Sequence, residues 1–376
     1  RLASCSHLSA DSPCGGAGNA TYATGVDIDG EAWANPPSIG CDEIHGTVAT
    51  GALSVEIRAT YTTVAPGVVV ALTGAIGGEA SSSRWDFGDG TSLTNRPYAS
   101  HVWRTTGDYT VQLWAYNASN PQGIIGTLVV HVLEQPVHYV ALASKTPAAP
   151  YSSWSTAATN IQDAVEAATV PGALVLVSNG VYEAGGRLVA SVANTNRVAV
   201  AQPLVVESVN GPAATVIRGY QVPGATNGAS AVRCVYLTNG AALIGFTLTN
   251  GAAGAWPSGS GGGAWCESAS ALLSNCVITG NSSIEGGGAY FGRLVNCLLT
   301  GNSAQDGGGA HSSTLTNCTV TSNAASSGGG LYAAALDNCT VSQNRGQYGG
   351  GANESSMNNC LLTGNSADNY GGGAYS

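Results

Sequence analysis

Charge is what this chain has least of. Only 9% of its 376 residues are Asp, Glu, Lys or Arg, and Lys145 is the one lysine. With a net charge of −10, this excludes a nucleic-acid binder that works through phosphate contacts. No apolar run reaches the roughly 18 residues a membrane helix requires, so no membrane span is expected. The opening RLASCSHLSA lacks the basic and apolar parts of a leader and reads as the interior of a longer or processed chain. Ten cysteines include no CxxC spacing, which argues against a cysteine zinc site. The low hydrophobicity that accompanies disorder is also missing, because 44% of the residues are hydrophobic.

What the chain does have is glycine, 53 of them, with abundant Asn, Ser, Thr and Ala. That mixture suits many short strands joined by tight turns. Cys276, Cys297, Cys318, Cys339 and Cys360 recur every 21 residues, and Asn281, Asn302, Asn323, Asn344 and Asn365 keep the same step. Each repeat ends in three glycines. A period near 20 marks a solenoid. Twenty-one residues are too few for two helices and enough for one coil of three short strands, stacked about 4.8 Å from the next. Leu273, Cys276, Ile278 and their counterparts are expected inside. The asparagines are expected at bends, where Asn tolerates the left-handed conformation, with amides bonding along the stack. The glycines allow a corner where no side chain fits. Stacked thiols would sit about 4.8 Å apart, wider than a disulfide prefers, so the ladder cysteines read as free and buried. Cys5, Cys14 and Cys41 lie outside the ladder and are the better candidates for a bridge. Before the regular repeats, Ala157, Ile161, Ala164, Val165 and Ala168 keep a helical period, predicting a capping helix near 157–168 that Pro171-Gly172 stops.

These features, over residues 137–376, resemble right-handed parallel β-helix repeat proteins of bacterial surfaces, a fold shared with pectate lyases. Residues 52–134 are different. Trp85-Asp86-Phe87-Gly88-Asp89-Gly90, then His101-x-Trp103 and Gly107-Asp108-Tyr109-Thr110-Val111, resemble a PKD domain. The resemblance implies an immunoglobulin-like sandwich, a spacer or binding module of extracellular proteins. Trp103 replaces the more usual Tyr or Phe and is expected to pack; Asp86 and Asp89 are expected to shape a turn. Residues 1–48 resemble the irregular terminal turn that closes such β-helices, here placed before the sandwich. The overall expectation is an all-β, extracellular or cell-surface protein.

Candidate chemistry is sparse. Glu285 and Asp306 share the position before a glycine triplet, one coil apart, and are the candidate calcium ligands; no other cofactor is implied. Two residues beyond each triplet stand Trp265, Tyr290, His311, Tyr332, Asn353 and Tyr375. Their rings form a stripe that either binds glycan or a partner chain, or stacks on itself for stability. His311 has no Ser, Cys or acid at triad spacing along the sequence. Six sequons, at Asn19, Asn117, Asn281, Asn317, Asn338 and Asn353, are possible glycosylation sites. The scarcity of acids and bases and the regular repeat favour a non-catalytic structural or adhesive unit, assembling head-to-tail with copies of itself. A polysaccharide lyase or glycoside hydrolase with an accessory PKD module, or a glycan-binding β-helix, is the alternative.

Overall fold

A chain whose apolar residues recur every 21 positions can bury them only by superposing its coils, and residues 135–376 do this. The computed structural model describes residues 2–4, 6–9, 11–28, 30–44, 49–189, 194–254 and 259–376. Contacts divide the chain into two compact units, Arg1–Glu134 and Gln135–Ser376.

In the second unit, strands one coil apart pair in parallel, building sheets of nine, eight, nine and four strands. One coil runs Arg293–Val295, Leu298–Thr300, Ser303–Asp306 and Ala310–His311. The later coils therefore carry four strands rather than three. The extra one forms because the segment before each triplet extends far enough to pair with its neighbour, Ser303 opposite Ala324 and Asp306 opposite Ser327. Leu273, Cys276 and Ile278 are buried, as are Leu294, Cys297 and Leu299 one coil on. All of these join one continuous hydrophobic core. The parallel pairing defines a parallel β-helix.

Two asparagine columns divide the work that the sequence suggested for both. Those preceding each cysteine, Asn275, Asn296, Asn317, Asn338 and Asn359, take the left-handed conformation with φ between 49° and 54°. The Asn281 column does not. Its bends are made by the preceding residues, Gly280, Gly301, Ser322, Gln343 and Gly364, which frees the asparagine side chains to turn inward. Asn302 Nδ2 donates to Asn323 Oδ1 at 3.0 Å and to the Ile278 carbonyl at 2.8 Å. The Asn302 backbone N–H reaches the same Oδ1 at 3.0 Å. This pattern repeats from Asn281 to Asn365.

The glycine corners follow from space. Gly307 turns at φ +66°, and a Cβ on Gly308 would lie 2.4 Å from the Gly329 carbonyl oxygen. The ladder thiols are free and donate to backbone carbonyls, as Cys297 Sγ does to Leu273 and Val295. Burial pushes Cys234 and Cys266 up to about 12. The thiol of the preceding rung, with burial, holds Cys297 and Cys318 there too. The capping helix spans Ile161–Ala167, shorter than its periodicity predicts. Asn160, extended at φ −135°, caps it by accepting from the Asp163 N–H, so the helix cannot begin before residue 161.

The first unit holds an antiparallel three-stranded sheet (Ser54–Ala59, Val70–Gly77, Tyr98–His101) and a five-stranded sheet led by Gly107–Asn117 and Asn120–Val132. Trp85, Phe87, Trp103, Val111 and Leu113 fill the core between them. Trp103 packs there and donates its indole N–H to the Phe87 carbonyl. Asp86 and Asp89 accept backbone N–H bonds from Gly88 and Thr91, and Asp89 also meets His101 Nε2 at 2.7 Å. Leu2, Ala3 and Asp11 engage this sandwich. Leu2 N–H donates to the Asn95 carbonyl, Asn95 Nδ2 to Asp11, and Ala3 is buried with Ala80 and Ala115. Cys14 and Cys41 are free, contrary to the expected bridge; Cys41 Sγ instead donates to the Ser6 carbonyl. Cys5, the other candidate, lies outside the described residues.

The asparagine column predicts a large effect from one atom set. Asn323→Ala removes the acceptor of two buried Asn302 N–H bonds, an expected loss of about 2–3 kcal/mol in denaturant unfolding. A loss below half of that would show that the column contributes register rather than stability.

Candidate functional site

Parallel in-register pairing stacks like positions, so residues at the same place in each coil form columns. Two columns flank the glycine corner. Before it run Ser260, Glu285, Asp306, Ser327, Tyr348 and Tyr370, joined by strand or bridge pairing. Beyond it run Tyr236, Trp265, Tyr290, His311, Tyr332, Asn353 and Tyr375. The tight corner brings the columns close enough for the Glu285 charge to act on Tyr290.

The rings in the second column stack. Centroids are 5.3 Å apart from Tyr236 to Trp265, 6.3 Å to Tyr290, 5.4 Å to His311 and 4.9 Å to Tyr332, with interplanar angles of 6° to 27°. Each ring thus spends its faces on its neighbours and turns a rim outward. Asn353 interrupts the column. Tyr375 belongs to a separate cluster, with Tyr348 and Tyr370 at 6.2 and 6.0 Å. Tyr236 escaped the sequence reading because it lies 29 residues before Trp265, in a longer coil. Its signal was the match of Val235-Tyr236-Leu237 to Ala264-Trp265-Cys266.

Carboxylates line the rim. Burial, with Glu285 and Glu354 nearby, holds the Asp306 carboxyl above the ordinary range despite Ser327 and His311. Burial lowers the His311 imidazole, against the charges of Glu285, Asp306 and Glu354. Stacking therefore supplies the acids that His311 lacks along the sequence, and Ser312 Oγ lies 2.9 Å from its Nδ1. Burial and the Glu354 carboxylate, hydrogen-bonded to its hydroxyl, raise Tyr332. At the first rung Tyr236 Oη donates to Glu267 at 2.5 Å. Burial alone would raise Glu267, but the Thr238 and Tyr236 hydroxyls outweigh it and keep it low.

Glu285 and Asp306 do stack one rung apart, but Ser260 Oγ donates to Glu285 at 2.9 Å and Ser327 bonds Asp306. Two carboxylates and two hydroxyls fall short of the six to eight oxygens calcium takes. Among the described residues no group of three or more His, Cys, Asp or Glu is placed to hold a metal. Backbone carbonyls and water would have to complete any calcium shell there. Of the sequons, Asn19, Asn317 and Asn338 are exposed, whereas Asn117, Asn281 and Asn353 are buried. Asn281 Nδ2 is already bonded to Leu248 and Asn302, so no glycan can be attached there without dismantling the core.

With this geometry in place, comparison with known proteins is informative for one segment. Residues 54–123 match the PKD domain. The chain carries a PKD domain and a parallel β-helix. No curated protein sequence matches it. Among solved structures, a pectate lyase superposes with a TM-score of 0.40 at 16% identity, over 61% of this chain and 63% of that one. A pectin methylesterase bound to a hexasaccharide gives 0.35 and 13%, over 61% and 80%. The pectin methylesterase PemA of Erwinia chrysanthemi gives 0.33 and 13%, over 61% and 80%. Likeness this distant says nothing of activity; the β-helix beside the PKD domain is read from its strand pairing. The chain spans less than two thirds of the pectate lyase's length.

The raised Asp306 carries a stability prediction. A carboxyl held above its unfolded value contributes fully below that value, and its contribution is lost as pH rises through the folded one. Asp306→Asn should therefore melt above the wild type at pH 7. The gap should close below about pH 4, near the ordinary carboxylate range. A variant less stable at pH 7 would mean that the ionised carboxylate stabilises the coil.

Proposed function

We propose that the β-helix binds an extended, uncharged polysaccharide outside the cell, along the ring column and its flanking carboxylates. The observation that carries this reading is the column itself. Rings from Tyr236 to Tyr332 repeat at the strand spacing, and the carboxylates of Glu285, Asp306 and Glu354 lie close enough to act on His311. That spacing is close to the advance per residue of an extended β-linked glycan, so successive sugars meet equivalent groups. Because ring faces are covered, recognition runs through hydroxyls bonding to the rim rather than through sugar rings lying on aromatic faces. Carboxylates accept such bonds well. The same carboxylates, in a chain of net charge −10, repel polyuronates. We prefer this reading to head-to-tail assembly because Leu2, Ala3 and Asp11 are engaged with the sandwich of their own unit.

Retention on cellulose, xylan, mannan and chitin, against polygalacturonate, tests this directly. Binding to a neutral polymer should fall at least tenfold in Tyr290→Ala/Tyr332→Ala, with circular dichroism unchanged. Preference for polygalacturonate would overturn the proposal.

One observation favours a second reading, hydrolysis. The Asp306 carboxyl is raised above the usual range beside Glu285, the direction of shift that a general acid with a partner carboxylate requires. New reducing ends from a bound polymer, abolished in Asp306→Asn, are the expected result; binding without release leaves the protein a binder.

A further inference from the structure

The PKD domain carries a second surface, on the outward side of its five-stranded sheet, that shares no residue with the ring column. Along Gly107–Asn117 the buried Val111, Leu113 and Ala115 alternate with Gln112, Trp114 and Tyr116, which therefore face out. Antiparallel register sets Arg84 opposite Trp114 on one side and Ile125 on the other, all on this same face.

The Trp114 and Tyr116 rings lie parallel, with 6.5 Å between centroids and 10° between planes. Alternate residues along a strand are about 6.8 Å apart, so the rings sit side by side rather than one upon the other. Gly123, at φ +81° in the neighbouring strand Asn120–Val132, fixes how they lie. A Cβ there would be 2.6, 3.0 and 3.2 Å from three consecutive carbons of the Tyr116 ring. Distances so alike put the glycine beneath the ring's face rather than at its edge. Tyr116 is thus flat on the sheet, and Trp114, parallel to it, is flat beside it. Each half-buried ring keeps one face against protein and turns the other outward, the reverse of the stacked column in the β-helix.

A cation stands at the edge of this platform. The Arg84 side chain is 51% exposed, and Asp86 Oδ2 is 3.8 Å from its Nη2, too far for a hydrogen bond. The other Asp86 oxygen accepts the Gly88 N–H. The guanidinium fork is left open to a carboxylate from outside.

We infer that this face binds an acidic sugar, a uronate residue of a polysaccharide, with its pyranose on Trp114 and Tyr116 and its carboxylate on Arg84. A pyranose has a flat C–H side that covers an aromatic face, and a guanidinium pairs with a carboxylate through two parallel N–H bonds. The sheet argues against a peptide. Gly107–Asn117 is paired on both edges, by Ser82–Asp86 and Asn120–Val132, so it has no backbone groups to lend an added strand.

The test uses the whole chain in calorimetry, with trigalacturonate against galactotriose and glucuronosyl-xylotriose against xylotriose. At least one acidic sugar should bind about tenfold more tightly than its neutral counterpart, the worth of one charge-assisted pair. Arg84→Gln should bring the two within twofold, and added salt should weaken the wild type more than this variant. Trp114→Ala should weaken acidic and neutral sugars alike. Arg84→Gln alters an exposed side chain and carries the test if Trp114→Ala does not fold. Tyr290→Ala/Tyr332→Ala should leave this binding within twofold. Retention of polygalacturonate by the ring column is then measured in Arg84→Gln, where this platform no longer favours acids, so the failure of one site is distinct from the failure of the other. If no acidic sugar binds, or if Arg84→Gln discriminates as the wild type does, the inference is wrong. Hexaglutamate binding more tightly than every acidic sugar, and losing affinity in Arg84→Gln, would also overturn it.

Discussion

Every coil of the β-helix must return its backbone to one strand spacing above the last, and the buried asparagine column is what enforces that return. Asn302, Asn323, Asn344 and Asn365 each place an amide oxygen where the backbone N–H and the side-chain N–H of the asparagine one coil earlier converge. A coil one residue longer or shorter would leave these groups unpaired in a dry interior, where each costs about 1–3 kcal/mol. The fixed period of 21 is held by these bonds together with the buried apolar set, which a one-residue slip would turn outward. The glycine corners answer the same constraint, since the carbonyls of adjacent coils lie where a Cβ would be.

Once register is enforced, any residue type repeated in the sequence is repeated in space. Rings benefit, because stacking at strand spacing adds favourable contact. Carboxylates do not, because like charges placed directly opposite each other are destabilising. The column before the glycine corner shows the result. Glu285 and Asp306 stack, and the next rungs change to Ser327 and then Tyr348. The charge that would complete a third acidic rung appears instead in the second column's neighbour, Glu354, reached across the corner. Two adjacent acids are the most the column holds, and one of them, Asp306, is already pushed toward its protonated form.

The interior was legible because it is periodic. Leu273, Cys276 and Ile278 could be assigned inward from spacing alone, whereas the packing of Trp103 followed from the PKD resemblance. Three things were not legible. The two asparagine columns look alike in sequence, and only the φ of the preceding residue separates the bend from the hydrogen-bonded interior. Tyr236 sits in a coil of different length, so a search at fixed period passes over it. The acids around His311 are 26 residues before it, five before it and 43 after it in the chain, and stacking alone brings their charges to bear on it. The described part of segment 1–48 bonds mostly to itself, and Leu2 and Asp11 tie it to Asn95 of the sandwich, a long-range contact that no local pattern announces.

The same stacking that builds the ring column also limits what it can do. A lone exposed tryptophan offers a face; Trp265, second of five stacked rings, offers an edge, and edges select ligands by polar groups. Such a surface has no intrinsic depth, so its affinity comes from repetition. Each rung contributes a weak bond and a long polymer engages many rungs at once, which multiplies effective concentration without any new contact. The consequence is a sharp dependence on ligand length. An oligomer spanning two rungs would be held no better than free solution allows, while one spanning Tyr236 to Tyr332 would meet five. Under the binding proposal, specificity would lie in the regularity of the coils rather than in any single side chain.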